Sequence, residues 1–372
     1  MTVGFFSPLP PAHTGVADYS ATLLKAMHGS GHVLENRSGD VNLYHLGNNA
    51  LHGEIYDRAL AEPGVVVLHD AVLNHFFLGK FGNEVYVTEF VYNYGAWSES
   101  LARRLWAGRA RSGADPLYFR YPMLRRIAER SLSVIVHNAL AARLAAEQGA
   151  REVHRIPHLF EAPFMPPEHE VVRLRERIGV RPGELLLGIF GHLRETKRIP
   201  VVLRALARAR AAYSGVKLLV CGDFASRDLP LSVGEAIHSE GVIRIGHLSE
   251  YDFLLHAAAA DVCVNLRWPS AGETSGIAIR LMGMGKCVIL TAGEETADFP
   301  DDAVLRVDAG PAEEEMLTAF LIWLAENPGK TRAIGARAAA HIHKFHSLEH
   351  VGGEYWRVLS GCYHEKHSSA VT

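Results

Sequence analysis

A short loop rich in glycine and hydroxyl side chains lies in the second half of the chain. It reads SAGETSG from Ser270 to Gly276 and runs into an apolar helical segment. The first amides of a helix have no carbonyl partner inside it, so those of Ser275 and Gly276 can face negative charge. Glu273 permits two interpretations: a cap for this helix, or an acceptor for the hydroxyl groups of a sugar. The loop therefore predicts a ligand site at a helix N-terminus.

A second polar group follows the apolar run ELLLGIF and reads FGHLRETKRIP. Gly191 allows a ligand to approach the backbone closely. The cationic donors of this segment are His192, Arg194, Lys197 and Arg198. Solvated charge is the ordinary interpretation of such residues, but four of them at the carboxyl end of a strand suit a diphosphate. We regard Lys197 as the strongest single cation.

In the first half, the segment SPLPPAHTGVADYS follows the first predicted strand. Gly15 lies just before a helix whose first amides could bind a phosphate. An ordinary turn between strand and helix, with Thr14 as the helix cap, is an equally good interpretation. The segment is not GxGxxG, so it does not indicate a nicotinamide-dinucleotide site.

Polar residues also end two later apolar strands. His69 and Asp70 follow VVVL, and Asn138 follows SVIVH. The carboxyl end of a parallel strand is where ligands bind, so His69 is a candidate functional residue. A structural role is the alternative, with Asp70 as the cap of the next helix. Asn138 is predicted to be a helix cap.

Strands that alternate with helices must position these residues. This alternation predicts doubly wound parallel sheets, and it restarts after the proline-bearing linker FEAPFMPPEHE. We therefore expect two Rossmann-like domains that face each other across a cleft. The predicted strand segments are 3–7, 41–47, 64–70, 132–138 and 153–159 before the linker, and 184–193, 216–224, 242–248, 261–268, 286–293 and 303–310 after it.

Composition narrows the class of protein. A chain of 372 residues is expected to form two domains, and its net charge of −3 gives no general attraction to nucleic acid. No basic n-region precedes an apolar segment at the N-terminus, and no apolar run approaches the roughly 20 residues of a membrane span. The four cysteines are scattered, without a CxxC pair, which indicates a reducing, cytoplasmic compartment and no structural zinc.

Four of these segments together resemble the GT-B glycosyltransferases of family 4, also called glycosyl transferases group 1. They are SPLPPAHTGVADYS, VHRIPH, FGHLRETKR and PSAGETSGIAIRLMGMGKCVI, which occur in the family's order over about residues 3 to 350. The resemblance implies an N-terminal acceptor domain of residues 1–163, completed by a terminal helix at about 350–372. It also implies a donor domain at 164–349 that binds a nucleotide-sugar. Family members generally retain the anomeric configuration and need neither a metal nor another cofactor.

The resemblance also implies roles for individual residues. Gly15 would face the donor phosphates, Lys197 would bind the diphosphate, and His69 would lie near the donor sugar. Glu273 corresponds to the first glutamate of the family's E-x7-E motif, with the amides of Ser275 and Gly276 after it. Ile245 lies in the segment against which the nucleobase packs.

The chain departs from the family pattern at two positions. His192 replaces the arginine of the family's GRLxxxKG pattern, so Arg194 is expected to supply the missing charge. Arg280 takes the place of the second glutamate of E-x7-E, which holds the nucleotide ribose in the family. A guanidinium cannot accept hydrogen bonds from hydroxyls, so we expect Arg280 to pair with a phosphate or with Glu273.

Segment 103–130 is rich in arginine with interleaved aromatic residues. A peripheral contact with anionic lipid at the inner face of the membrane, or with a phosphorylated acceptor, is one interpretation. An ordinary solvated helical surface is the favoured alternative. The arginines are Arg103, Arg104, Arg109, Arg111, Arg120, Arg125, Arg126 and Arg130, and the aromatic residues are Trp97, Trp106 and Tyr118.

The first functional hypothesis is a hexosyltransferase that moves a sugar from a nucleotide-sugar to a glycan or lipid-linked saccharide in polysaccharide biosynthesis. The second is a catalytically inactive GT-B protein that binds a partner, because the second glutamate is missing and His192 replaces an arginine. A nicotinamide-dependent oxidoreductase is disfavoured by the lack of GxGxxG.

Overall fold

The computed structural model of the chain describes residues 1–12, 14–29 and 31–368. The chain divides into two compact units. Unit 1 contains Met1–Glu161, Pro269–Thr274 and the chain from Phe345 onward, and unit 2 contains Ala162–Trp268 and Ser275–Lys344. The loop of Pro269–Thr274 thus belongs to unit 1, although both segments that flank it belong to unit 2.

Unit 1 is built on a six-stranded parallel sheet with the order β2-β1-β3-β4-β5-β6. The strands are β1 (Thr2–Phe6), β2 (His32–Glu35), β3 (Val41–Leu46), β4 (Val65–Leu68), β5 (Ser133–Val136) and β6 (Val153–Arg155). The helices are α1 (Gly15–His28), α2 (Gly53–Ala61), α3 (Asn74–Lys80), α4 (Asn83–Tyr94), α5 (Glu99–Gly108), α6 (Arg125–Arg130), α7 (Ala139–Glu147) and, from the end of the chain, α15 (Leu348–Ser368).

Unit 2 is built on a second six-stranded parallel sheet, with the order β12-β11-β10-β7-β8-β9. The strands are β7 (Leu185–Ile189), β8 (Val216–Cys221), β9 (Val242–Ile245), β10 (Val262–Asn265), β11 (Cys287–Thr291) and β12 (Leu305–Val307). The helices are α8 (Glu168–Arg177), α9 (Ile199–Ala212), α10 (Asp228–Val233), α11 (Glu250–Ala259), α12 (Gly276–Gly283), α13 (Glu313–Glu326) and α14 (Pro328–Phe345).

The sequence forms these sheets because most strands are apolar on both faces. All residues of β4, β5, β7, β10 and β11 are buried, as expected for parallel strands that are covered by helices on both sides. Helix α9 supplies part of the cover in unit 2, burying Val202, Ala205, Leu206 and Ala209 at helical spacing. The fold class predicted from the sequence, two Rossmann-like doubly wound parallel-sheet domains, is confirmed.

Strand β2 was missed by the sequence analysis. It is an edge strand of four residues in which only Val33 is buried. So short and mixed a pattern carries no clear apolar signal.

The strand orders locate where ligands can bind. In unit 2 the chain proceeds outward from β7 to β9 on one side, then returns to build β10 to β12 on the other. Ligands of such sheets bind beyond the carboxyl ends of the strands at this reversal, here between β7 and β10. In unit 1 the corresponding reversal lies between β1 and β3.

Helix α15 returns the end of the chain to unit 1. The hydroxyl groups of Tyr19 on α1 and Tyr355 on α15 form a buried hydrogen bond of 2.8 Å. The amide of Phe160 donates to the carbonyl of His346 at 2.7 Å just before α15 begins. No helix in the described part of the chain is long and apolar enough to span a bilayer.

Candidate functional site

In unit 2, the loops after β7 and β10 bring the predicted cations and the N-terminus of α12 to the same edge of the sheet. After β7 the chain turns at Gly191, whose φ of +80° is in the left-handed region that glycine adopts without strain. It then forms a single 3-10 turn, Glu195–Lys197, before α9. The amide of Trp268, beyond β10, donates to the carbonyl of Thr196 at 2.8 Å and so ties the two loops together.

Ser275 caps helix α12. Its Oγ accepts from the amide of Ala278 at 3.3 Å, from Nδ2 of Asn265 at 2.7 Å and from the guanidinium of Arg267 at 3.1 Å. The interpretation of Glu273 as the cap is therefore wrong, because the hydroxyl two residues later takes that position. The amides of Gly276 and Ile277 open the helix and carry its positive end.

Lys197 is buried beside this helix end, with 9% of its surface exposed. Its Nζ donates to the carbonyl of Phe190, at the end of β7. Burial lowers the pKa of Lys197 to about 7, and the positive charge of Arg267 adds to that effect. A buried ammonium group beside a second cation concentrates positive charge, which a bound anion would offset.

The other predicted cations of this loop differ in what they can do. His192 is exposed, and its pKa is lowered by partial burial and by the charges of Arg194 and Lys197. Arg194 is exposed at the start of the 3-10 turn. Arg198 forms other contacts: its guanidinium pairs with buried Glu313 at 2.6 Å and lies over the ring of Trp268.

Arg280 has a partner that the sequence analysis did not consider. Its guanidinium pairs with the carboxylate of Glu250, the first residue of α11, and lies 4.4 Å from the ring centroid of Phe253. The sequence pattern predicts a phosphate or Glu273 as its partner instead. Ile245 ends β9, and its carbonyl accepts from the amide of Gly222 at 3.1 Å.

In unit 1, the loop of Pro269–Thr274 is anchored beyond β4. The carbonyl of Ala271 accepts from the amides of Ala71 and Val72, at 2.8 and 3.0 Å. Gly272 has a φ of +74°, and a Cβ at this position would lie 2.8 Å from that of Ala71. Only glycine fits here without strain.

Asn138 anchors the same loop beyond β5. Its Oδ1 caps α7 by accepting from the amide of Ala141, which confirms the predicted cap. Its Nδ2 donates to the carbonyl of Gly272 at 2.9 Å and to the hydroxyl of Thr274 at 3.0 Å. The carboxylate of Glu273 accepts from the amide of Ala271 at 2.9 Å, so the loop itself orients this side chain.

His69 belongs to a buried cluster of imidazole rings at the carboxyl end of the unit 1 sheet. Nδ1 of His45 and Nε2 of His69 are 3.0 Å apart, and the ring of Tyr19 lies edge-on to His69 with centroids at 4.8 Å. Burial lowers the pKa of His69 well below its usual value, with His45 adding to the effect. His69 is therefore neutral at pH 7 and can donate or accept a hydrogen bond without carrying charge.

Asp70 does not cap the next helix, contrary to the structural alternative considered above. Its carboxylate accepts from the amide of Asn48 at 2.7 Å, and α3 begins only at Asn74. This contact ties the loop after β4 to the loop after β3, because the two strands are neighbours in the sheet.

Gly15 opens α1, and the predicted cap by Thr14 is confirmed by its contact with the amide of Ala17 at 3.1 Å. A Cβ at Gly15 would meet no atom of the described residues within 4 Å. Among these residues the first turn of α1 therefore has open space beside it, and the role of Gly15 toward the donor stays a prediction.

Segment 103–130 has acidic and carbonyl partners for most of its arginines. Arg103 pairs with Glu84 and Glu99, Arg125 with Glu129, and Arg126 with Glu89. Tyr118 lies in the core and Trp106 packs against it partly buried, while Trp97 is exposed. These contacts favour the solvated helical surface over a lipid-binding face.

Sequence reasoning missed Asn265, Arg267 and Glu250. Asn265 is the last residue of an apolar strand and does not stand out in the sequence. Arg267 is a single arginine after that strand, which is not a recognisable motif. Glu250 resembles any acidic residue in the first turn of a helix. Their roles come from neighbours 8 to 30 residues away in the chain, which no short motif encodes.

Neither a protein-family model nor a curated protein matches the sequence. Solved structures do match over nearly the whole chain. HepE of Anabaena in complex with UDP-glucose aligns with a TM-score of 0.66 at 16% identity, covering 97% of this chain and 100% of that one. Sucrose-phosphate synthase of Thermosynechococcus elongatus gives 0.65 at 16% identity, covering 97% and 99%.

A third similar structure is WaaG, a glycosyltransferase involved in lipopolysaccharide biosynthesis. It aligns with a TM-score of 0.60 at 14% identity, covering 96% of this chain and 100% of that one. At such identities a structural match establishes the fold. The chain has the GT-B fold of these glycosyltransferases.

Proposed function

We propose that this protein is a glycosyltransferase that moves a hexose from a nucleotide-sugar to a glycan or lipid-linked saccharide. The observation that carries the proposal is the cluster of positive charge in unit 2, where Lys197 and Arg267 lie by the capped N-terminus of α12. This is the chemistry that a leaving diphosphate requires. Similar structures contain UDP or UDP-glucose, which supports a nucleotide-sugar as the donor.

In the proposed reaction the bond between the sugar and the diphosphate breaks as the acceptor oxygen bonds to the sugar, and the proton of the acceptor hydroxyl passes to the departing diphosphate oxygen. Lys197, Arg267 and the first amides of α12 offset the charge that develops on the leaving diphosphate, without a metal. The neutral imidazole of His69 would hydrogen-bond the donor sugar, and the oriented carboxylate of Glu273 would accept from sugar hydroxyls. Retention of the anomeric configuration is part of the proposal and rests on the family resemblance.

The experiment is a donor panel with EDTA present throughout. UDP-, GDP- and ADP-hexoses are incubated with the protein, and release of the nucleoside diphosphate and the anomer of the free sugar are followed by NMR. We expect turnover with at least one donor, and a loss of at least tenfold in Lys197→Met. If the donors bind but none is turned over with or without added saccharides, the inactive GT-B alternative is favoured. If no donor binds, the assignment of the site is wrong.

A cytoplasmic location and a role in polysaccharide biosynthesis remain predictions. The peripheral membrane contact through segment 103–130 has no support from the contacts of its arginines.

A further inference from the structure

The pair of Arg280 and Glu250 joins the last turn of α12 to the first turn of α11 in unit 2. The Glu250 side chain is 68% exposed and that of Arg280 is 33% exposed. Exposed ion pairs contribute little to stability, so structural support is a weak explanation for this pair. Arg280 is nevertheless held on two sides, by the carboxylate of Glu250 and by the ring of Phe253 at 4.4 Å.

The pair lies close to the proposed diphosphate site at Lys197 and the start of α12. Arg280 lies four residues beyond Gly276, which is about one turn, or roughly 5 to 6 Å, along α12. Glu250 opens α11 directly after the loop that follows β9. In a nucleoside diphosphate, a phosphate and a methylene group separate the terminal phosphate from the ribose, a span comparable to one helical turn. A diphosphate bound at Gly276 and Lys197 would therefore present its ribose near this pair.

We propose that Glu250 binds the 2′,3′-diol of the donor nucleotide and that Arg280 is the residue that positions its carboxylate. This inference rests on the proposed function and names the specificity-determining residue for the ribose. An ionised carboxylate only accepts hydrogen bonds, and its two oxygens can take both hydroxyls of a cis-diol while a guanidinium pairs with it from another side. Acidic residues bind ribose hydroxyls in the same way in dinucleotide sites.

Asp252 in the same helical turn is less suited to this role. Its Oδ2 accepts from the hydroxyl of Ser249 at 2.7 Å, in the capping arrangement at the start of α11. The positive charge of Arg280 also serves the ligand. It offsets the carboxylate of Glu250, which would otherwise repel a diphosphate bound about one helical turn away.

The experiment compares ribonucleotides with their deoxy analogues. Dissociation constants of UDP, 2′-deoxy-UDP and 3′-deoxy-UDP are measured by calorimetry, with the GDP and ADP series in parallel. Wild-type protein is expected to bind the best ribonucleotide about 10- to 100-fold more tightly than its deoxy analogues, the range for a hydrogen bond to a charged group. In Glu250→Gln this ratio falls to about threefold or less, because only ribonucleotide binding weakens.

Two further variants separate the roles. Arg280→Met is expected to give a ratio of dissociation constants between those of wild type and Glu250→Gln. Arg280→Lys should give a ratio closer to that of wild type than Arg280→Met does, because the carboxylate keeps a cation beside it. Glu240→Gln is the matched control, since Glu240 is an exposed residue of unit 2 that also pairs with an arginine, Arg210. The Glu240→Gln variant should keep the wild-type ratio of dissociation constants. Thermal unfolding of each variant checks that the fold is intact.

Each outcome is decisive. If ribonucleotides bind without preference over their deoxy analogues, or if Glu250→Gln keeps the wild-type preference, the role of Glu250 is wrong while the proposed function stands. If no nucleoside diphosphate binds the wild-type protein, both proposals are wrong.

Discussion

At the scale of single residues, the burial of Lys197 disfavours its positive charge. Lys197 is buried next to Arg267, and burial lowers its pKa to about 7. The lysine of an unfolded chain stays protonated to about pH 10. Between these two pKa values the unfolded state binds more protons, so the free energy of unfolding rises with pH across this window. Below about pH 7 the lysine is protonated in both states and the dependence ends. An anion bound nearby would reverse that penalty by favouring the charged form.

The first prediction concerns proton uptake at Lys197. Above pH 7 the amine must gain a proton to pair with a diphosphate, so UDP affinity should fall by about tenfold per pH unit between pH 7.5 and 9. Calorimetry in buffers of different ionisation enthalpy should show uptake of close to one proton at pH 8.5. Lys197→Arg should remove the slope, because arginine stays protonated. The same slope in that variant would show that another group titrates.

The second prediction concerns Gly15. A methyl group there meets no atom within 4 Å in the part of the chain that the structure describes, so Gly15→Ala should fold normally and gain up to about 1 kcal/mol from helix propensity. If a phosphate approaches this turn, the same methyl group should weaken donor binding at least tenfold. Gly353→Ala is the matched control, since it is also helical with open space around it. Equal donor affinity in both variants would remove Gly15 from the donor site.

At the scale of elements, short loops between strands and helices position the candidate site residues. The loop of Pro269–Thr274 is held by backbone bonds to the chain after β4 and by Asn138 at the start of α7. Helix α12 then begins after Ser275, whose hydroxyl oxygen accepts hydrogen bonds from Asn265 and Arg267. These hydrogen bonds hold the loop in one conformation, which would preorganise it for the proposed stabilisation of a leaving diphosphate.

The third prediction separates the two tasks of Asn138. Asn138→Asp keeps an oxygen that can cap α7 but replaces the amide donor that binds Gly272. Its thermal stability should stay close to wild type, while amides 271–274 exchange faster with solvent and donor turnover falls by about tenfold. Asn138→Ala should show the same loss of turnover and also lose about 0.5 to 2 kcal/mol from the missing cap. Unchanged exchange in the aspartate variant would contradict this role.

At the scale of the whole molecule, the chain builds two doubly wound sheets and then returns to the first. Helix α15 packs on α1, where Gly352 brings it close to Ala26 and the two tyrosine hydroxyls meet at 2.8 Å. Burial raises the pKa of both Tyr19 and Tyr355, so both groups stay neutral and share one hydrogen bond. Helix α15 is thus part of the core of unit 1.

The fourth prediction tests this contact by a double-mutant cycle. Tyr19→Phe or Tyr355→Phe alone leaves a buried hydroxyl without its partner and should cost about 1 to 3 kcal/mol in urea unfolding. The double variant should cost less than the sum, by about 0.5 kcal/mol or more. Tyr56→Phe is the control, because its buried hydroxyl has no hydrogen-bond partner among the residues that the structure describes. Strict additivity would argue against a direct bond between Tyr19 and Tyr355.

The sequence by itself determined the order of elements and several local contacts. Apolar runs of four to six residues marked the central strands, and the caps at Thr14 and Asn138 could be predicted because capping involves residues two or three apart. The positions of the candidate loops followed, because the carboxyl ends of parallel strands meet at one edge of a sheet.

Only the tertiary structure decided which side chains meet. It placed Glu250 against Arg280, Arg267 against Ser275, and the amide of Asn138 against Gly272. These contacts depend on the order of strands in each sheet and on the path of the loops, which local spacing does not encode. Burial is likewise a property of the packed molecule, so the lowered pKa of Lys197 could not be read from its neighbours in the sequence.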